Sequence, residues 1–313
     1  YTEVDTLSLH DALPISIHAL NFEVFNGGKG ANQAIAAARS GADTAMIGTI
    51  GRDAYGQDHI NSMDKEGINT KYIEHASKPT GIANIYIDQH GENNIVLNAG
   101  SNGVTNAAQI EKYPIAKNDL VVFQMEVNHE EFVKALSYAK SQSARTLLNL
   151  APAPEHFVDG LFDNVDYLVV NEIEAEKVYL HIQNESTVNC SHEEMALKIS
   201  ELLNTNCIVT LGGSGVFACT KEGQTHKASP LTLKAEDIID TPGAGDAFTG
   251  AFSSAIQKGK SFDDSLQYAA IAGSLACLKL GAQSSYPTEN EILKYMGSQP
   301  VAANNVPSAH ASL

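Results

Sequence analysis

The chain has 313 residues, 43% hydrophobic and 18% charged, an ordinary globular make-up with room for one large α/β domain or two small ones. A net charge of −17 argues against nucleic acid as a partner, because a phosphate backbone is held by clustered Lys and Arg. A nucleotide stays compatible, since backbone N–H groups, Mg²⁺ and one or two local cations can hold its few phosphates.

No run reaches the roughly 18 apolar residues of a membrane span, and residues 1–16 lack the basic and apolar regions of a secretory signal. The four cysteines, Cys190, Cys207, Cys219 and Cys277, form no CxxC pair and have no His at metal spacing. A cytoplasmic protein with reduced thiols, no membrane and no nucleic-acid partner is expected.

In chain order, 22–25 is a short strand candidate. Asn26-Gly27-Gly28-Lys29-Gly30-Ala31-Asn32-Gln33 is a glycine loop opening a helix over 34–39. It is not a Walker A loop, because the upstream glycine is missing and no Ser or Thr follows Lys29. Segments 84–88 and 94–98 flank an Asn- and Gly-rich turn and read as a hairpin. With 22–25 they are expected to form a small sheet, serving as a lid or an oligomer surface. Apolar runs at 120–123, 146–150, 167–170, 207–210 and 216–219 read as buried strands, with helical patterns such as 130–140 between them. That alternation predicts an α/β fold: a doubly wound, mostly parallel sheet with helices on both faces. Ligands then bind beyond the carboxyl ends of the strands, where Gln124, Met125, Glu126, Asn149, Asn171 and Thr210 fall. Residues 297–313 show little periodicity and are expected to be disordered.

The most informative stretch is Asp240-Thr241-Pro242-Gly243-Ala244-Gly245-Asp246, followed by a helix over 247–257 rich in Ala, Ser and Phe. A glycine turn opening a helix leaves N–H groups facing outward, an anion hole. Asp246 at the helix start can accept a proton from a substrate hydroxyl. The alternative is a turn with an Asp N-cap. Glu126 can accept hydrogen bonds from sugar hydroxyls or be a solvated loop residue. Asn171 with Glu174 is an N-x-x-E pair, which also suits an N-cap with a capping-box Glu.

These pieces, in this order, resemble the PfkB carbohydrate kinase family, in its ribokinase branch. The glycine loop at 26–33 is similar to that family's first signature and 240–246 to its second. Pro79-Thr-Gly-Ile-Ala83, Gly91-Glu-Asn93, Asn149-Leu-Ala-Pro-Ala153, Thr210-Leu-Gly-Gly-Ser-Gly215 and Gly281-Ala-Gln-Ser-Ser285 carry similar text between and after them. The resemblance runs from about residue 17 to about 295.

It implies a kinase domain over 17–296 with lid segments near 17–26 and 80–100 that often dimerises. It also implies transfer of the ATP γ-phosphate to the 5-hydroxyl of ribose. Asp246 would be the base, with Gly243, Ala244 and Gly245 the anion hole. Gly27, Gly28, Lys29, Asn32 and Glu126 would hold the sugar beside Asp246. Asn171, Thr210, Leu211, Gly212, Gly213, Ser214, Gly215 and Gly245 would contact ATP, and Glu174 would organise Mg²⁺ through water. Asp240, Pro242, Ala276, Lys279, Gly281 and Ser285 would line a site for an activating K⁺.

Two positions depart from that pattern. Ala270 stands where the family often has a His near adenine. Residues 1–16 contain neither the family's opening apolar strand nor its Asn-x-Asp element, and read as foreign to the frame or as a divergent native N-terminus. The competing functional readings are another kinase of the family, for deoxyribose, fructose or a nucleoside, and a catalytically impaired sugar- or nucleotide-binding protein.

Overall fold

The computed structural model describes residues 20–87 and 93–297. The atypical segment 1–16, the hairpin turn and residues 298–313 of the expected disordered tail lie outside the described residues. Among the described residues no helix is long and apolar enough to cross a membrane.

Helix α1 (Lys29–Arg39) leads into β1 (Ala45–Ile50), α2 (Ala54–Lys65) and β2 (Asn69–His75), with β1 and β2 paired in parallel. Strands β3 (Ile82–Ile87) and β4 (Asn93–Asn98) form the antiparallel hairpin expected from the sequence. Strand β5 (Leu120–Gln124), α3 (His129–Ser141), β6 (Arg145–Asn149), β7 (Tyr167–Asn171), α4 (Glu172–Gln183), α5 (His192–Leu203) and β8 (Asn206–Thr210) follow. Strands β9 (Val216–Cys219) and β10 (Thr225–Ala228) then precede α6 (Ala244–Gln257), α7 (Phe262–Ala276) and α8 (Glu289–Met296).

The main sheet has the order β10-β9-β8-β7-β6-β5, with β5 to β8 parallel and the last two pairings antiparallel. Strands β5 to β9 are apolar on both faces because both are covered. Leu148, Leu168, Val170, Cys207 and Val209 pack against Phe132 and Leu136 of α3, Val178 of α4 and Ile199 of α5. The alternate residues Leu147, Val169 and Ile208 pack against Phe248 and Phe252 of α6 and Leu266 and Ile271 of α7. Local chemistry sets the helix starts: Asn128, Ser191, Ser261 and Thr288 each accept a backbone N–H as N-caps. The parallel register aligns Gln124 with Asn149 and Asn171 with Thr210, so the predicted ligand-facing ends share one edge.

Residues 20–28 contain no strand, contrary to the expectation for 22–25. Their bonds are local: the Asn21 amide donates to Glu23, and the Phe22 N–H to Asn21. No neighbouring strand among the described residues supplies the ladder that an extended segment needs. The base of the β3–β4 lid is tied down. Asp53 accepts from the Thr80 N–H at 2.8 Å and the Thr80 hydroxyl at 2.6 Å, and these bonds hold its carboxyl below the usual range.

Candidate active site

Helix α6 starts at Ala244, three residues before the sequence pattern suggests, which puts Asp246 in its first turn. Gly243 caps it at φ +87°, a conformation side chains resist, and a methyl there would lie 3.0 Å from the Tyr286 hydroxyl and from Ala282 Cβ. The Ala244 N–H already faces the Thr241 carbonyl at 3.2 Å. The N–H groups of Gly243, Gly245 and Asp246 have no partner among the described residues, and they carry the positive end of the helix dipole. Of the three N–H groups expected to form an anion hole, those of Gly243 and Gly245 are therefore open and that of Ala244 is not.

Asp246 is buried, 5% exposed. Its two carboxylate oxygens accept from two amides of α1, Asn32 Nδ2 at 2.9 Å and Gln33 Nε2 at 2.9 Å. Helices α1 and α6 meet backbone to backbone to permit this. A methyl on Gly250, one turn beyond Asp246, would lie 2.5 Å from Ala36 Cβ and 2.6 Å from the Gln33 carbonyl. Sequence reasoning singled out Asn32 and overlooked Gln33, although the two are adjacent in the same motif.

Among the residues expected to hold the sugar, the Lys29 N–H donates to Glu126 Oε2 at 3.1 Å, joining the first glycine loop to the end of β5. Gly27 and Gly28 face open space, where a methyl would meet nothing within 4 Å. Asn149 donates to Thr249 at 3.2 Å, and Thr249 to the Gly245 carbonyl at 2.9 Å, which fixes the first turn of α6 to the sheet.

At the other end of the edge, Asn171 caps α4 and Glu174 returns the bond: a capping box at 2.8 Å in both directions. Burial pushes the Glu174 carboxyl up, opposed by the Asn171 N–H and then by the Lys29 and Lys177 cations. Thr210 donates to the Val170 carbonyl at 3.3 Å. Beyond it, Leu211 begins a tight turn in which Gly212, Gly213 and Ser214 are exposed, and Gly215, buried at φ +94°, closes the loop.

The second glycine segment and the 277–286 loop come together. Asp240 Oδ2 accepts from the Gly281 N–H at 2.9 Å, while the Ile239 and Asp240 N–H groups donate to the Cys277 carbonyl. Ser285 is fully buried and donates to the Ala282 carbonyl at 2.7 Å. Pro242 lies on the exposed side of this turn, and Ala276 is buried at the end of α7. The Lys279 ammonium faces outward toward Glu291 at 3.5 Å, so only its backbone can serve the loop. Arg39, unremarked in the sequence, donates to the carbonyls of Gln283 at 2.6 Å and Tyr286 at 3.1 Å. Gln283 in turn donates to Asn32 Oδ1 at 3.0 Å.

The sequence matches the pfkB family carbohydrate kinase model over residues 5–289. The chain belongs to the pfkB family of carbohydrate kinases. A curated relative in this family, the ribokinase of Haemophilus influenzae, is 35% identical over 283 residues, 88% of this chain and 89% of the relative. The Thermotoga maritima ribokinase structure superposes with a TM-score of 0.80 at 30% identity, covering 90% of this chain and 91% of that one. An Arabidopsis thaliana ribokinase structure, complexed with ribose and ATP, superposes equally well at 25% identity over 91% and 93% of the two chains. As a pfkB kinase, the protein is a phosphotransferase acting on a sugar hydroxyl, and its fold is ribokinase-like.

Proposed function

We propose that this kinase transfers the γ-phosphoryl group of ATP to the 5-hydroxyl of D-ribose, giving ribose 5-phosphate and ADP. The carrying observation is Asp246. It is a buried carboxylate oriented by two amide donors, in the first turn of a helix whose Gly243 and Gly245 N–H groups have no partner among the described residues. Asp246 orients the hydroxyl and takes its proton, while the N–H groups of Gly243 and Gly245 receive the charge spreading over the transferred phosphoryl. Gly27, Gly28, Lys29, Asn32 and Glu126 form the sugar wall. The 210–215 loop and Asn171 form the nucleotide wall.

Glu174 keeps one oxygen free beside its capping bond, which suits Mg²⁺, an ion that retains several waters and takes phosphate oxygens. Mg²⁺ there would neutralise phosphate charge. Asp240 and the carbonyls of the adjoining loop are hard oxygen donors and suit K⁺. Turnover is expected to be higher in K⁺ than in Na⁺, and equal rates in the two salts would remove that site.

Ribose-dependent ADP release, run with deoxyribose, fructose and nucleosides as competitors, tests the substrate. A clear preference for a hexose or a nucleoside defeats the ribose assignment, and absence of turnover favours the binding-protein reading.

The lid suits a homodimer. Register pairs Ala83 with Leu97 and Ile85 with Ile95, which puts these four on one face, and the three larger ones are 43–65% exposed. In light scattering the protein is expected to run as a dimer and Leu97→Asp as a monomer. A wild-type monomer at every concentration overturns this.

A further inference from the structure

The two amide bonds on Asp246 do not have equal support. Gln33 reaches the carboxylate directly from α1. Asn32 does so as the middle of a chain: Gln283 Nε2 donates to Asn32 Oδ1 at 3.0 Å, and Asn32 Nδ2 donates to Asp246 Oδ2 at 2.9 Å. All three residues are buried, at 7%, 7% and 5% exposure.

The direction of this chain follows from the charge at its end. An ionised carboxylate only accepts, so Asn32 must present its NH₂ to Asp246 and its oxygen to Gln283. Gln283 must then present its own NH₂ to Asn32, which leaves its oxygen pointing away. Gln283 Oε1 is indeed buried with no partner among the described residues. The polarity is thus dictated from Asp246 outward through two residues.

Gln283 is itself held from α1. Arg39, seven residues and about two turns from Asn32, lies on the same helix face. It grips the Gln283 and Tyr286 carbonyls and is anchored by Glu66 at 2.6 Å. One helix therefore fixes the loop backbone with Arg39 and meets the loop side chain with Asn32. The same loop carries the Gly281 N–H bound by Asp240.

We propose that Gln283 is a positioning residue for phosphoryl transfer: through Asn32 it holds the Asp246 carboxylate in line with the sugar hydroxyl, and so ties the 281–286 loop to the base. The proposal rests on Asp246 being that base. It assigns to Gln283 a donor role that the near-isosteres Met and ionised Glu cannot supply, and it predicts an order of effects that packing alone would not give.

The experiment compares Gln283→Met, an apolar near-isostere, with Gln283→Glu, a closer isostere of inverted polarity, and uses Asp246→Asn as reference. Steady-state kcat and KM for ribose and ATP and the melting temperature are measured for each. Met removes the donor, and a fall in kcat of about 10-fold is expected, less than the roughly 10²-fold of a fully misplaced group. Glu offers Asn32 an acceptor, turns its amide over and aims its oxygen at Asp246. For this variant a fall of about 10²-fold is expected. KM for ATP should stay within about twofold in both, since neither substitution touches the nucleotide wall.

Glu at or above the Met activity, or changes confined to the melting temperature, would overturn the relay while leaving the base intact. Wild-type turnover in Asp246→Asn would remove the base, and the relay with it. If either 283 variant fails to fold, the other together with Arg39→Lys decides. Lys cannot grip two carbonyls in a fork, so a kcat loss with unchanged KM for ATP supports the relay, and unchanged kcat ends it.

Discussion

Asp246→Asn is expected to lower kcat by a factor on the order of 10²–10⁴, the usual contribution of a positioned general base, with both KM values changed only a few-fold. Two effects act together. The amide cannot take the proton of the sugar hydroxyl. It also cannot accept from both Asn32 and Gln33, because one of its two ends is now a donor facing a donor. Nucleotide binding should survive, since the residues proposed to hold ATP, Asn171 and the 210–215 loop, stand at the ends of β7 and β8 and not on α6. Initial rates at saturating ribose and ATP, set beside a nucleotide titration, separate the two. Unchanged kcat would exclude Asp246 as the base. Loss of nucleotide binding would show that the substitution had collapsed the first turn of α6.

The second large effect is expected at Gly250. Inside a helix, Gly→Ala ordinarily stabilises by roughly 0.5–1 kcal/mol, through reduced backbone freedom in the unfolded chain. Here the sign should reverse. The new methyl would sit 2.5 Å from Ala36 Cβ, 2.6 Å from the Gln33 carbonyl and 2.7 Å from the Ala37 nitrogen, and two of those three atoms are backbone that cannot turn aside. The helices must separate, at a cost of about 1–3 kcal/mol for overpacking. Because Asn32 and Gln33 ride on α1 and Asp246 on α6, a displacement of about 1 Å also costs on the order of 10²-fold in kcat. Thermal melts and rates on Gly250→Ala check both. A variant as stable and as fast as the parent would mean that the helices are not in this contact.

Much of the fold could be read from the residues because it rests on local signals. The strands at 120–123, 146–150, 167–170, 207–210 and 216–219 are short apolar runs bounded by Gly, Pro or Asn, and each lies within about a residue of the observed strand. The hairpin was visible in its turn residues. The strand expected at 22–25 failed because Phe22, Val24 and Phe25 have strand propensity but no partner strand among the described residues, and propensity without a ladder does not make a strand. Both functional helices begin earlier than their patterns suggest, α1 at Lys29 and α6 at Ala244, since glycines in a first turn look like loop.

In the site, motif and helix-start chemistry pointed to Asp246 and its glycines, and Asn171 with Glu174 proved to form the capping box weighed from their spacing. Gln33, Arg39, Gln283 and Tyr286 stayed hidden for one reason. Their roles are contacts across 213 to 251 residues of sequence, and nothing in the composition of either segment announces the other.

The contact between α1 and α6 also bears on how this kinase can be recombined with its relatives. Two residues of the proposed sugar wall, Lys29 and Asn32, both amides on Asp246 and the grip on the 281–286 loop are carried by one eleven-residue helix, while Asp246 and its glycine turn lie more than 200 residues later. A chimera joined anywhere between them inherits its two catalytic segments from different parents. Those segments meet with no spare volume at Gly250, so a partner that differs by one methyl at the Ala36 or Gly250 positions would be misfitted although each half is sound. Crossovers that keep 29–39 and 243–286 from one parent should give active hybrids far more often than crossovers that divide them.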